Sequence, residues 1–265
     1  MPLRSIRHVR AQTAVLAMVA AAALLTACAP AAAPHRTTEA VSSGAVARGR
    51  VRVPRSGRPA TLRAGTSDLS PVVRSMRRDE VRRVLQMGEP GTYVGELLLG
   101  RDSALTRWPD RVERPLIVWI ATADGRANWQ DEHARQVRTA FEAWQRTGIP
   151  VRFAFVADSA RADIHVGWVD RFAEPISGKT VWTRDDAWWI VDANITLALH
   201  HRDGAPLDTA QVRAIALHEI GHLIGLDHTT DATNIMAPKV RVRELSLADQ
   251  STARLLYSVP AGRIK

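Results

Sequence analysis

The chain has 265 residues, 46% hydrophobic and 24% charged, with a formal net charge of +9 and one cysteine. That balance describes one large or two small soluble domains with a proper core, and it excludes a multi-span membrane protein and a wholly disordered chain. A single cysteine excludes a disulfide framework and a multi-thiolate metal site. The positive charge lies entirely upstream: residues 1–112 hold 18 Lys/Arg against 8 Asp/Glu, and residues 113–265 hold 18 against 19. The C-terminal half thus has no footprint for a polyanion, and no nucleic-acid partner is expected. The first aromatic residue is Tyr93 and all eight tryptophans fall between Trp108 and Trp189, which places the start of the main core near residue 108.

The N-terminus carries Arg4, Arg7 and Arg10, followed by an apolar stretch from Thr13 to Ala27. A membrane span needs about 20 apolar residues, so the shorter stretch reads as a secretory signal. It ends in Leu25-Thr26-Ala27-Cys28, an order that resembles the lipobox of bacterial lipoproteins. The resemblance implies that residues 1–27 are a cleaved signal peptide and that Cys28 becomes a lipid-modified N-terminus. The protein would then sit in the cell envelope, held to the membrane by acyl chains rather than by a span, with more than one chain needed for stable residence. Ala29 rather than Asp after the cysteine is similar to the default sorting to the outer membrane. The plainer alternative is an ordinary signal with an incidental cysteine. Residues 28–70, rich in Ala, Pro, Arg, Ser, Thr and Gly, are expected to be a flexible linker.

From Ser70 to Met87 the apolar residues follow helical spacing, with Pro71 in the first turn and Gly88 and Pro90 as stops. Residues 71–111 form a pre-domain segment that either packs on the domain downstream or acts as a spacer. Arg114–Ala121 is a short continuous apolar run, as in a buried strand. Residues 129–147 read as an amphipathic helix with Ala134, Val137, Phe141 and Trp144 on one stripe, stopped by Gly148 and Pro150. Residues 151–156, 162–168, 179–183 and 189–199 are strand-like. A helix over about 209–224 has Asp208 as N-cap and Gln211 at the capping-box position, and a last helix spans about 246–257 behind Ser246. The order is that of an α/β layer arrangement.

The chemistry lies in His218-Glu219-Ile220-Gly221-His222-Leu223-Ile224-Gly225-Leu226-Asp227-His228. Helical spacing puts His218 and His222 one turn apart on the same face, so both imidazoles can bind one ion. Glu219 is adjacent without being a ligand and can reach a water at the metal. Gly225 can take the left-handed conformation that ends helices, so that the chain folds back and offers His228 as third ligand.

The string resembles the extended zinc motif of the metzincin metallopeptidases, H-E-x-x-H-x-x-G-x-x-H. Met236, within Asn234-Ile-Met-Ala-Pro238, resembles their Met-turn, with a spacing and trailing proline similar to the matrixin branch. The likeness covers roughly residues 112–258. It implies a metzincin-like α/β domain over residues 112–265: a mixed twisted sheet, an active-site helix, the Met-turn and a C-terminal helix. It further implies one catalytic Zn²⁺ on His218, His222 and His228, with Met236 as an apolar floor. Calcium or a second zinc is not indicated, because His165, His200, His201, Asp185, Asp186 and Asp192 read as surface or strand-end residues. Pro54-Arg55-Ser56-Gly57-Arg58-Pro59 resembles the matrix-metalloproteinase latency motif with serine where the metal-binding cysteine would stand, so no cysteine-type latency is expected.

Three neutral imidazoles leave a fourth position for water, the open site of a catalytic zinc. The implied activity is hydrolysis of peptide bonds in a protein or peptide substrate, with Glu219 as general base. The substrate would lie along an exposed edge strand, with Lys179–Thr183 the candidate. A monomer is expected. Two other readings stay open: an envelope lipoprotein that binds zinc or peptides without hydrolysing them, and a narrow aminopeptidase.

Overall fold

The computed structural model describes Val73 and residues 76–101, 103–123 and 125–265. The signal-like stretch, Cys28, the linker and the Pro54–Pro59 string lie outside the described residues.

In chain order the elements are α1 (Arg78–Gly88), α2 (Val94–Gly100), β1 (Ala104–Leu105), β2 (Arg111–Ile120), α3 (Asp131–Gln145), β3 (Val151–Val156), a 3₁₀ turn (Ser159–Arg161), β4 (Ile164–Val169), β5 (Gly178–Arg184), β6 (Ile190–Ala198), α4 (Thr209–Leu223), α5 (Leu247–Tyr257) and β7 (Gly262–Arg263). Five strands form one sheet in the order β3-β2-β4-β6-β5. The neighbours β3, β2, β4 and β6 run parallel, and β5 closes the edge antiparallel to β6. Parallel strands are covered by crossover helices and read as continuous apolar runs, which is why β2 and β4 contain Val118, Ile164 and Val166 fully buried.

α3 buries Val137, Ala140, Phe141 and Trp144 along one stripe, while α4 buries nine of its fifteen residues, including Gly221 and Leu223. A helix buried on nearly all sides cannot be amphipathic, and α4 sits between α3 on one flank and β5 and β6 on the other. The Trp144 indole donates to the Leu217 carbonyl at 2.8 Å, and the Trp108 indole to the Leu223 carbonyl at 2.9 Å. Each tryptophan therefore buries a large apolar area while its one donor is satisfied. At the start of α4, Asp208 Oδ1 accepts from the Gln211 main chain and the Gln211 side chain accepts from the Asp208 N–H, the reciprocal cap anticipated from the sequence.

Two features differ from the sequence reading. The helix expected from Ser70 is interrupted: Met76 and Arg77 are not helical, and α1 begins at Arg78, where Glu80 accepts from the Arg77 N–H at 2.8 Å. The core also begins well before residue 108. Val81, Leu85, Tyr93, Val94, Leu97 and Leu105 join the same cluster as Trp144 and Leu217. The segment packs rather than spaces, because α1 and α2 lay their apolar sides against α5: the Tyr93 N–H donates to Thr252 Oγ1, and a methyl group at Gly88 would strike Leu255. β1 pairs with β7, joining this segment to the C-terminus.

α4 ends in a sharp reversal. The Gly225 N–H returns to the His222 carbonyl and the Leu226 N–H to the Gly221 carbonyl, the pairing of a Schellman termination. Gly225 has φ +103°, and a Cβ there would lie 2.1 Å from the Thr106 carbonyl oxygen. Gly125, at φ +82° with nothing within 4 Å, carries only the backbone requirement. Gly125→Ala is therefore expected to cost about 1 kcal/mol, and Gly225→Ala at least about 2 kcal/mol, because it also displaces a buried carbonyl. Urea denaturation of the two metal-free variants would check the ordering, and equal costs would contradict it.

Candidate metal centre

His218 and His222 project from successive turns of α4, and the reversal at Gly225 carries His228 back to meet them. The three Nε2 atoms lie 3.1 Å (218–222), 3.2 Å (222–228) and 3.3 Å (218–228) apart. His218 Nδ1 faces the Ile235 carbonyl at 2.8 Å and His222 Nδ1 the Leu226 carbonyl at 3.2 Å. A carbonyl accepts only, so both Nδ1 atoms carry the proton and both Nε2 atoms present a lone pair. Lone pairs gathered this closely repel unless they share a cation. A tetrahedral site with metal–nitrogen distances of about 2.0–2.1 Å spaces its ligand nitrogens by about 3.3–3.4 Å, so the trio fits one ion of zinc's size and ligand preference. Among the described residues it is the sole group of three or more His, Cys, Asp or Glu side chains able to hold a metal.

The electrostatics agree with the geometry. Burial pushes the His218 imidazole down to about 4. Burial and then the neighbouring imidazoles push His222 well below the ordinary histidine range, and burial lowers His228. Groups that resist protonation at neutral pH offer their lone pairs to a metal with little competition from protons.

Glu219, next to His218 on α4, meets the edge strand β5. It is 5% exposed, and burial raises its carboxyl to about 7. The Thr180 hydroxyl lies 2.6 Å from Glu219 Oε2 and 2.9 Å from the Glu219 main-chain oxygen. A Cβ at Gly178 would stand 2.5 Å from Oε1. Strand β5 therefore holds this carboxyl by one hydroxyl and makes room for it with one missing side chain.

Met236 is fully buried, and a Cβ at Gly221 would collide with its sulfur. Gly221 is thus the opening in α4, between the two ligand-bearing turns, into which the thioether packs. The turn holding Met236 is fixed by Asp249, itself buried in the first turn of α5. Its Oδ2 accepts from the Ile235 and Ser246 N–H groups, and its Oδ1 from the Tyr93 hydroxyl.

Each residue singled out in the motif is thus accounted for: His218, His222 and His228 come together, Glu219 is buried beside β5, and Met236 packs beneath α4. The other titratable candidates do not gather. His165 faces the Ser159 carbonyl, His200 the Asp170 carbonyl and His201 the Gln211 amide, while Asp185 accepts from two N–H groups of its own turn. Thr180, Gly178, Gly221 and Asp249 escaped the sequence reading. Gly221 had a signal, since glycine inside a helix costs about 1 kcal/mol against alanine and calls for a packing reason. Asp249 had one too, standing three residues after the Ser246 cap. Thr180 and Gly178 had none: residues 179–183 read as an edge strand, but nothing in the strand pattern says that Glu219 lies against it.

The chain is similar to metalloendoproteinases of plants and animals. Metalloendoproteinase 5-MMP of Arabidopsis thaliana is 28% identical over 173 residues, covering 57% of this chain and 45% of the relative. Metalloendoproteinase 1 of Glycine max is 32% identical over 90 residues, covering 32% and 27%. Matrix metalloproteinase-16 of Mus musculus is 30% identical over 132 residues, covering 40% and 20%. The chain spans less than half the length of each of these relatives. The matrixin sequence profile matches residues 115–258, more than half of the chain, with His218, Glu219, His222, His228 and Met236 all inside the match, and the chain belongs to the matrixin family.

Proposed function

We propose that this protein is a zinc-dependent endopeptidase that hydrolyses peptide bonds in proteins, with Glu219 as general base. The observation that carries the reading is the convergence of three Nε2 lone pairs within 3.3 Å of one another. His218, His222 and His228 would hold one zinc ion. Bound there, zinc supplies a Lewis acid that activates water and polarises a carbonyl. Glu219, buried and poised near neutrality, takes a proton from the attacking water as the water oxygen bonds to the peptide carbon. As the C–N bond breaks, the same carboxyl passes that proton to the departing nitrogen. Thr180 and Gly178 keep it in place for both transfers.

β5 is the last strand of the sheet, so its outer main-chain groups are available to an extended peptide, which would add as a further strand. The purely metal-binding reading has no use for a carboxyl buried in this position. We further propose, from the Leu25–Cys28 string, that the protein is a lipoprotein of the cell envelope, anchored through Cys28 after removal of residues 1–27.

Glu219→Ala is expected to keep stoichiometric zinc and to lose about 10²–10⁴-fold in kcat on a protein substrate such as casein. Full activity in that variant would refute the base assignment, and an inactive, zinc-loaded native protein would refute the peptidase. Peptides with blocked N-termini are expected to be cleaved, which separates an endopeptidase from an aminopeptidase.

The metal-free protein has its own pH signature. His218 sits at about 4 when folded against 6.5 when unfolded. Above 6.5 neither state binds the proton, while between 6.5 and 4 the unfolded chain binds it and the folded chain does not. The His218 contribution to stability therefore falls as pH drops through that window, His222 and His228 add to the loss, and Glu219, raised to about 7, opposes it. Urea melts of Glu219→Gln in chelator at pH 7 and pH 5, with the opposing group removed, would register the loss. For the anchor, a clickable fatty acid is expected to label the native chain and not Cys28→Ser.

A further inference from the structure

The reversal after α4 is held by more than its own hydrogen bonds. It is gripped on both sides of His228 by the seven-residue helix α2 and the residue after it, more than a hundred residues upstream. Arg101, immediately after α2, donates from Nε to Asp227 Oδ2 at 3.0 Å, from one terminal nitrogen to the Gly225 carbonyl at 2.9 Å, and from the other to the Leu226 carbonyl at 3.0 Å. Its side chain is 13% exposed, and its guanidinium carbon stands 5.4 Å from the ring centre of Trp182 on β5. On the far side of His228, Glu96 of α2 accepts from the Thr229 hydroxyl at 2.9 Å and the Thr230 N–H at 2.7 Å.

Two of the three acceptors that Arg101 meets are tied to a histidine of the trio. The other carboxylate oxygen of Asp227 accepts the His228 N–H at 2.8 Å. The Leu226 carbonyl is the group that faces His222 Nδ1 and sets that ring's tautomer. The Gly225 carbonyl belongs to the residue that makes the reversal. Carbonyls just past a helix end have no partner within the helix, and three acceptors in three directions match a planar fork of five donors, which an ammonium cannot reproduce. The positive charge by itself is no advantage beside a dication, and Asp227 offsets it. What Arg101 contributes is direction.

We propose that Arg101 is a positioning residue for the metal centre, fixing the Gly225–His228 turn so that the third imidazole meets the other two. The proposal rests on the reading of the trio as a metal site and does not depend on hydrolysis.

The test measures metal affinity of the full chain by Co²⁺ absorption and chelator competition, alongside unfolding of the metal-free protein. Partners just outside a metal's ligands contribute about 10–100-fold to affinity. Arg101→Ala is expected to weaken binding by that factor, and Arg101→Lys, which keeps the charge but not the fork, by about 10-fold. Arg213→Ala removes a comparable set of contacts, to Glu244 and the Arg243 carbonyl, at the opposite end of α4, and is expected to leave affinity within about 2-fold.

Arg101→Lys binding as tightly as the native chain would overturn the proposal. So would an Arg101→Ala loss no larger than that of Arg213→Ala at matched stability. If Arg101→Ala does not fold, the lysine variant decides alone. A native chain that binds Co²⁺ but cleaves nothing would sink the peptidase and leave this inference standing, whereas a native chain that binds no metal would sink both.

Discussion

A single α-helix can aim two imidazoles at one point, but not three drawn from this spacing, because a helix continued past Leu223 would carry residue 228 away from the first two. The reversal at Gly225 is therefore the constraint on which the site depends. It requires a residue with φ near +103° and no side chain, since the Thr106 carbonyl occupies the space a Cβ would need. It also requires something to receive the carbonyls that the broken helix leaves unpaired. Those duties fall on Arg101, Trp108 and Tyr257, whose side chains donate to the Gly225 and Leu226, Leu223 and Ile224 carbonyls. The end of one helix is thereby hydrogen-bonded to the pre-domain segment and to the last helix at once.

The same helix separates two kinds of titratable group by environment. The rings of His218 and His222 have their protonated nitrogens committed to carbonyls, and the three Nε2 atoms of the trio are directed at one another, so burial favours the neutral form. Glu219, one residue along, is buried with a single hydroxyl on its carboxyl, so burial favours its neutral form as well, which for a carboxyl means an upward shift. Adjacent residues are thus pushed in opposite directions on the pH scale by one cause. Divergent shifts within one site are the arrangement expected where an acid–base group works beside a metal.

The motif and the caps were legible because their physics is local. His218, His222, Gly225 and His228 lie within eleven residues, and Asp208, Gln211 and Ser246 announce their helices by side chains that serve neighbouring N–H groups. The strands of the parallel sheet were legible from their apolar runs. The contribution of residues 78–110 was not: Arg101 pairs with Asp227 across 126 residues and Tyr93 with Asp249 across 156, and no periodicity encodes such a partnership. An arginine in a basic region reads as a solvated charge until the turn it grips is known. Thr180 was obscured for a related reason, since a strand pattern does not say which neighbour lies beneath it.

This division between local motif and distant support has a consequence for how metal binding and folding are linked. The eleven-residue string holds all three ligands, yet the atoms that orient them come from α2, from β1 and its approach to β2, from the Met-turn and from α5. The His218 ring depends on the Ile235 carbonyl, whose own residue is fixed by Asp249, which in turn is held by Tyr93. Loop closure over such separations is entropically costly, so these contacts form only with the whole domain. In the unfolded chain the string is an unpositioned set of imidazoles, and the difference in affinity between the two states appears as stabilisation of the fold. Metal affinity therefore measures the integrity of contacts that lie far from any ligand.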